Sequence, residues 1–312
     1  MEIISDLEGL AQRPYPVVAL GNFDGVHLGH RSILKQAIDR ARDCGGTAYA
    51  LTFDPLPAKL LSPQRSPSLL VTPADKLELL RTAGVDGVIV IEFTLELSRV
   101  GARDFVQRYI LGKIGARAVI VGHSVSFGHQ RAGNAAAMIQ FGRELGFHTM
   151  VAEPVKVDGV EVSSTKIRQL IGSGDIKAAG RLLGRNHFLS GIVVRGRERG
   201  RQMGFPTANL RSETECIPPD GVYAIRVILA DGEYPAVTNI GVRPTFNEPE
   251  RTIEAHIFDF ARDLYGQRIR LEFVERIRSE RKFESSQALA SQIAADLNRA
   301  REILSIANSA RD

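Results

Sequence analysis

The chain has 312 residues, of which 44% are hydrophobic and 24% charged, with a formal net charge of +4. These values fit an ordinary globular protein of two domains, at about 150 residues each. No apolar run approaches the about 18 residues of a membrane span, and no basic run interleaves with aromatic residues, so neither a membrane nor a specific nucleic acid is expected as a partner.

The positive charge suits phosphate-bearing ligands and equally suits weak nucleic-acid binding, so charge alone does not decide. Cys44 and Cys216 stand far apart in no zinc or Cys-x-x-Cys spacing and are expected to be reduced, structural thiols. The N-terminal Met-Glu-Ile-Ile-Ser-Asp-Leu-Glu has no basic region followed by an apolar core, so a cytoplasmic location is expected.

In chain order, β-rich runs at 16–20, 47–53, 85–93, 117–122 and 148–155 alternate with helical periods at 72–83, 102–111 and 135–146. A helical period also follows the first run, through Ile33, Leu34, Ala37, Ile38 and Ala41. Such alternation predicts a parallel sheet with helices on both faces. Two short helices at 164–171 and 175–183 complete this half, and Gly184-Arg-Asn-His187 reads as a hinge. Beyond it, runs at 187–194, 221–229, 234–240, 252–260 and 268–278 are separated by turn signals, including Asp231-Gly232, and predict a small antiparallel sheet closed into a barrel. Leu289, Ile293, Leu297, Ala300 and Leu304 then recur at helical spacing, with Ser285 or Ser286 as N-cap, and predict a terminal helix packed on the barrel.

Three strings stand out on this frame. Gly21-Asn-Phe-Asp-Gly-Val-His-Leu-Gly-His-Arg31 falls on a strand-to-helix turn, where open α/β sheets place ligands. If the helix begins there, His27 and His30 face the same way beside free backbone N–H groups and the positive end of the dipole. Gly29 would let a nucleotide approach the backbone. The string lacks the Gly-x-Gly-x-x-Gly dinucleotide pattern, so hydride transfer is not suggested. A tight turn with satisfied histidines is the competing reading. Val162-Ser-Ser-Thr-Lys-Ile-Arg168 sets hydroxyls and two cations at a helix start, which suits phosphate or a plain N-cap. In Gly191–Leu210, glycines 196, 200 and 204 accompany arginines 195, 197, 199 and 201, a composition that can close over phosphates or simply face solvent.

The first two strings resemble the nucleotidyltransferase signatures of the bacterial bifunctional FAD synthetases (riboflavin kinase/FMN adenylyltransferase). Gly204-Phe-Pro-Thr-Ala-Asn209 resembles the signature of riboflavin kinases, and further matches follow at Gly221-Val-Tyr-Ala224, Thr238–Phe246, Ile253–Phe260, Asp263-Leu-Tyr-Gly266 and Ile277–Phe283. The resemblance runs from about residue 16 to 305. It implies an α/β nucleotidyltransferase domain with a Rossmann-like parallel sheet over 1–185. A small antiparallel β-barrel riboflavin kinase domain with a C-terminal helix would follow over 186–312.

The implied chemistry is phosphorylation of riboflavin to FMN in the second domain and adenylylation of FMN to FAD, with release of pyrophosphate, in the first. The implied small-molecule partners are riboflavin, FMN and ATP, with Mg²⁺ as cofactor; the oligomeric state is left open. In the first domain, Gly21, Phe23, Asp24, Gly29, Ser163, Ser164 and Thr165 would bind ATP. His27, His30 and Arg168 would be catalytic, Arg168 neutralising the leaving pyrophosphate. In the second, Gly196, Gly200, Gly204, Pro206 and Thr207 would bind ATP, Thr207 and Asn209 would hold the metal, and Glu254 would be the base that takes the riboflavin 5′-hydroxyl proton. By strand alternation Glu254 shares a face with His256 and Phe258, opposite Ile253, Ala255 and Ile257. Flavin would meet Asn209, Phe53, Ser124 and Arg243.

Two departures from the family pattern lie in the first domain. Thr52-Phe-Asp-Pro-Leu-Pro57 carries Leu56 where a histidine is usual, and Val121–Gly128 carries Ser124 and Val125 where an acidic or amide residue and an aromatic are usual. They imply an adenylyltransferase weakened on its flavin side. The rival readings are a working kinase beside a weakened or lost adenylyltransferase, and a non-catalytic flavin- or nucleotide-binding regulator.

Overall fold

Pro16–Leu20 (β2) is buried at all five positions, and its alternate residues enter two different cores. Val17 and Ala19 pack with Ile33, Leu34, Ala37 and Ile38 of the following helix, Leu28–Asp43 (α1). Val18 and Leu20 pack on the opposite face with Ile110, Val119 and Met138. A strand covered on both faces has no polar side, which is why this one reads as a continuous apolar run. Each such fully buried Val or Leu contributes about 1.5–3 kcal/mol. In the computed structural model of the chain, residues 1–8, 13–196, 206–243 and 250–309 are described.

β2 is central in a six-stranded sheet with Glu2–Ile4 (β1), Thr47–Asp54 (β3), Gly87–Glu92 (β4), Ala118–Gly122 (β5) and His148–Ala152 (β6), in the order β1-β4-β3-β2-β5-β6. All five pairings are parallel. The chain builds outward from β2 to β4 and then returns to place β5 on the other side, so the order reverses between β2 and β5. Their carboxyl ends, Leu20 and Gly122, open at that switch point, where a crevice forms in open α/β sheets. The helices here include Pro57–Leu61 (α2), Pro73–Thr82 (α3), Ala102–Phe105 (α4) and Ala135–Leu145 (α5). The expected helix at 102–111 passes from α4 into a π-helical stretch over Val106–Lys113. Val106 and Ile110 are fully buried there, and a wider turn is indistinguishable from an α-helix over so short a pattern. Glu2–Ile4 and a two-strand hairpin at Lys156–Val157 (β7) and Val160–Glu161 (β8) are too short to announce themselves in sequence.

By packing, one unit comprises Met1–Ser68 with Pro73–Ser164, and the other Leu69–Thr72 with Thr165–Asp312. The helices Ser164–Ser173 (α6) and Ile176–Leu183 (α7) thus fall almost wholly with the second unit, where Ile176 joins the barrel core.

The second unit is a closed antiparallel barrel of six strands. They are His187–Val194 (β9), Ala208–Ser212 (β10), Gly221–Leu229 (β11), Gly232–Arg243 (β12), Glu250–Ile257 (β13) and Arg268–Ser279 (β14), in the order β10-β13-β12-β11-β14-β9. Five strands were expected; β10 is the sixth, pairing with both β9 and β13 and closing the ring. The 229–232 hairpin turns through residues 230–231, with Leu229 opposite Gly232. Tyr223, Ile225, Leu271 and Phe273 fill the interior. Ser286–Ser309 (α8) lays Ala300, Ile303 and Leu304 on the outer face against Val222, Ala224, Val237 and Phe258. Ser285 is its cap, its Oγ accepting from Ala288 N at 3.1 Å. Asp296 of this helix, nearly buried, is paired with Arg278 of β14 at 2.9 Å.

Candidate active sites

The first site grows from the end of β2. Gly21 N donates to Leu51 O of β3 at 3.1 Å, and the chain then bends through Phe23 (φ +50°) and Val26 (φ +39°), two non-glycine residues in the left-handed region. Such backbone costs about 1–3 kcal/mol per residue and persists only where surroundings hold it. Here both side chains are fully buried, and Asp24 and His27 are nearly so. His27 caps α1: its Nδ1 accepts from His30 N at 3.2 Å. The cap leaves Nε2 as the nitrogen that carries the proton of the neutral ring. The imidazoles of His27 and His30 stack with centroids 3.6 Å apart, and Phe23 meets His30 edge-on at 5.3 Å. A β-carbon on Gly29 would lie 3.2 Å from the His27 ring and 3.4 Å from Val162 O, so this glycine makes room for the histidine cap.

Ser164, at the start of α6 and the last residue of the first unit, donates from Oγ to Asp24 O at 3.0 Å within that unit. Ser163 precedes that start, Thr165 follows in the first turn, and Arg168 is one turn further along the helix. Phe53, at the end of β3, packs edge-on against Phe93 at 5.8 Å and near Phe105 at 6.1 Å. Leu56 occupies the N-cap position of α2 and makes no side-chain cap bond, while Ser124 is exposed in the turn after β5.

A residue the sequence reading passed over lies beneath this loop. Lys76 of α3 donates from Nζ to Thr52 Oγ1 at 3.2 Å and to Phe53 O at 3.3 Å. Thr52 Oγ1 in turn donates to Asn22 O at 3.1 Å. Burial lowers the Lys76 pKa, with the charges of Asp54 and Asp24 opposing. The signal was present: Lys76 and Leu80 stand four residues apart on one helix, and Leu80 is fully buried.

In the second unit, β10 brings the expected residues together. Asn209 registers opposite Glu254 of β13, and Thr207 Oγ1 donates to Glu254 Oε2 at 3.3 Å. The backbone of Glu254 is fixed by Thr238, whose hydroxyl donates to Glu254 O at 3.1 Å. His256 Nδ1 lies 2.9 Å from Pro206 O and, facing an acceptor, carries the proton. Alternation holds as expected: Ile253, Ala255 and Ile257 are buried in the barrel, and Glu254 and His256 are only partly covered. A β-carbon on Gly196 would stand 2.2 Å from Asn209 Nδ2, so the missing side chain at 196 is what admits the Asn209 amide.

A cavity of about 810 Å³ opens here, lined by Arg195, Gly196, Pro206, Thr207, Asn209 and Tyr265 among others. Arg195 lies 4.9 Å from the Tyr265 ring centroid, which gives the wall both a cation and a flat face. Glu254 is outside that lining and reaches its edge through Thr207. Among the expected residues, Gly200 and Gly204 lie outside the described residues. Arg243 ends β12, and its side chain also lies outside them. Among the described residues no group of three or more His, Cys, Asp or Glu could hold a metal.

Residues 11–166 match the FAD synthetase family and residues 183–304 the riboflavin kinase family. The bifunctional riboflavin kinase/FMN adenylyltransferase of Pseudomonas fluorescens is 35% identical over 97% of this chain and 98% of its own length. The protein of the same name from Bacillus subtilis is 36% identical over 90% of each chain. This chain belongs to the bifunctional riboflavin kinase/FMN adenylyltransferase family. The Escherichia coli K12 member is 34% identical over 99% of this chain and 100% of its own. A solved structure from Streptococcus pneumoniae, named a macrolide-efflux protein, is 31% identical and superposes with a TM-score of 0.86 over 96% of this chain and 98% of that one. That name disagrees with those of the sequence relatives, and the two matching family models decide between them. Among the described residues no helix is long and apolar enough to cross a membrane.

Proposed function

We propose that this chain makes FAD from riboflavin in two steps, each using ATP: phosphorylation to FMN in residues 186–312 and adenylylation of FMN in residues 1–185. The observation that carries this reading is the tandem match, an FAD synthetase segment followed by a riboflavin kinase segment, with relatives aligned end to end. The cytoplasm, which supplies ATP, is the compartment we assign.

In the kinase step, Glu254 accepts the proton of the riboflavin 5′-hydroxyl as that oxygen attacks the γ-phosphorus and the bond to the ADP oxygen breaks. Support comes from its fixed backbone and its contact with Thr207. Thr207 and Asn209 are neutral, hard oxygen donors, and magnesium is usually held by few protein ligands together with substrate phosphates, so this pair fits the ion. When bound, the ion would neutralise phosphate charge. Pro206, Gly196 and the 200 and 204 glycines are the ATP side of the site, and Asn209 and Arg243 its flavin side.

In the adenylyl step, an FMN phosphate oxygen attacks the α-phosphorus and pyrophosphate leaves. The protein positions the reactants and neutralises charge. Gly21, Phe23, Asp24, Gly29, Ser163, Ser164 and Thr165 form the ATP side. His27 and His30 donate to phosphate oxygens, Arg168 to the leaving group, and Phe53 and Ser124 face FMN. The capped, stacked histidines support these roles, because the Nδ1 bond fixes the ring of His27.

The test is direct. Incubation of the pure protein with riboflavin, ATP and Mg²⁺, followed by chromatographic separation of flavins, should yield FMN and FAD. FMN alone removes the adenylylation, unchanged riboflavin removes the phosphorylation, and unchanged riboflavin together with no FAD from supplied FMN removes both.

A further inference from the structure

We propose that Lys76 is a positioning residue for adenylyl transfer, its ammonium locking the bend at residues 21–26 from below through Thr52. The inference rests on the assignment of FMN adenylylation to the first unit and deepens it.

The bend contains two strained residues, so something outside it must hold it in place. Three hydrogen bonds do so within four residues: Gly21 N to Leu51 O, Thr52 Oγ1 to Asn22 O, and Ser164 Oγ to Asp24 O. The middle one depends on Lys76. A threonine hydroxyl has a single proton, and in the absence of other constraints it rotates to whichever acceptor suits it. Lys76 Nζ has only protons to offer, so Thr52 Oγ1 must accept from it and its own proton is directed at Asn22 O. The same ammonium donates to Phe53 O, fixing the end of β3 beside the bend.

The arrangement is costly unless it serves the site. An ammonium drawn partly out of water is disfavoured, and here it is offset by two carboxylates, Asp54 and Asp24, whose charges act on it. Asp24 belongs to the bend itself, and Asp54 ends β3. Lys76 thus couples the bend to the carboxyl edge of the sheet by one hydrogen-bond relay and one charge interaction. His27 and His30 follow the bend directly, so an error in its position is passed to the stacked imidazoles.

The test uses the full chain with Lys76→Met and Lys76→Arg, following FAD formation from FMN and ATP and, on the same preparations, FMN formation from riboflavin. Lys76→Met is expected to lower kcat for FAD formation by about tenfold or more, with KM for ATP within about threefold and the kinase activity unchanged. Lys76→Arg should recover kcat to within about threefold, because it restores a cationic donor. Should melting show that Lys76→Met does not fold, Thr52→Val removes the relay at nearly constant volume and is expected to lower kcat about threefold or more. Lys76→Met within twofold of the parent overturns the proposal. So does Lys76→Arg as defective as Lys76→Met, a loss confined to KM, or Thr52→Val without effect. A parent chain that makes no FAD would instead overturn the assignment on which the inference stands.

Discussion

Replacing Gly196 with alanine would test the kinase site by the smallest change available, one methyl group. The new carbon would sit 2.2 Å from Asn209 Nδ2 and 2.5 Å from its Cγ, whereas ordinary contact begins near 3.4 Å. The shortfall against Nδ2 is 3.4 − 2.2 = 1.2 Å. It has to be met by Asn209 or by the backbone that carries Gly196. Asn209 is held by pairing to Val194 on one side and Glu254 on the other, so its backbone has little room to give. The amide must swing off its position or the strand end must part. A displacement of about 1 Å at a positioning group costs on the order of 100-fold in rate, or about 2.7 kcal/mol of barrier. We therefore expect Gly196→Ala to lower kcat/KM for FMN formation about 100-fold, with FAD formation from supplied FMN unchanged. Both activities are read from one chromatographic assay. FMN formation within threefold of the parent would mean that Asn209 is not held where the reaction needs it, and the metal-binding role given to it would be lost.

Glu254→Gln should lose about 10²–10⁴ in FMN formation while riboflavin binding, measured by flavin fluorescence, persists; near-normal turnover would remove Glu254 from the mechanism. His187 is buried beside Phe188 and Leu189, and burial, then the charge of Arg185, pushes its pKa down to about 3 from 6.5 against the opposing bond to Cys216 O. The unfolded chain therefore takes up a proton below pH 6.5 that the native barrel refuses, so stability is full above 6.5 and declines toward pH 3. From pH 7 to pH 5 the loss is about 2 kcal/mol, read as a lower urea midpoint of the barrel; equal midpoints would contradict it. Ser124→Asn, which restores an amide at the turn after β5, should raise FAD formation from FMN. No change would mean that this departure from the family pattern does not limit the reaction.

Much of the architecture was written in local pattern. β2, buried on both faces, is apolar without interruption, and α1 repeats its apolar residues at helical spacing, so each announces its type without help from the rest of the chain. The candidate residues proposed for the two sites also come from short strings. Tertiary structure alone decided how those residues meet. β10 is five residues long and ordinary in composition; only its pairing with β9 and β13 sets Asn209 opposite Glu254. Gly196 looked like part of a phosphate loop, and its closest constraint is an amide thirteen positions later. Lys76 owes its place to Thr52 and Asn22, which are distant in sequence and adjacent only once β2, β3 and α3 have packed. The physical reason is common to all three: periodicity and turn chemistry act within a few residues, whereas the register of a closed barrel and the burial of a cation depend on partners that the chain brings together only by folding.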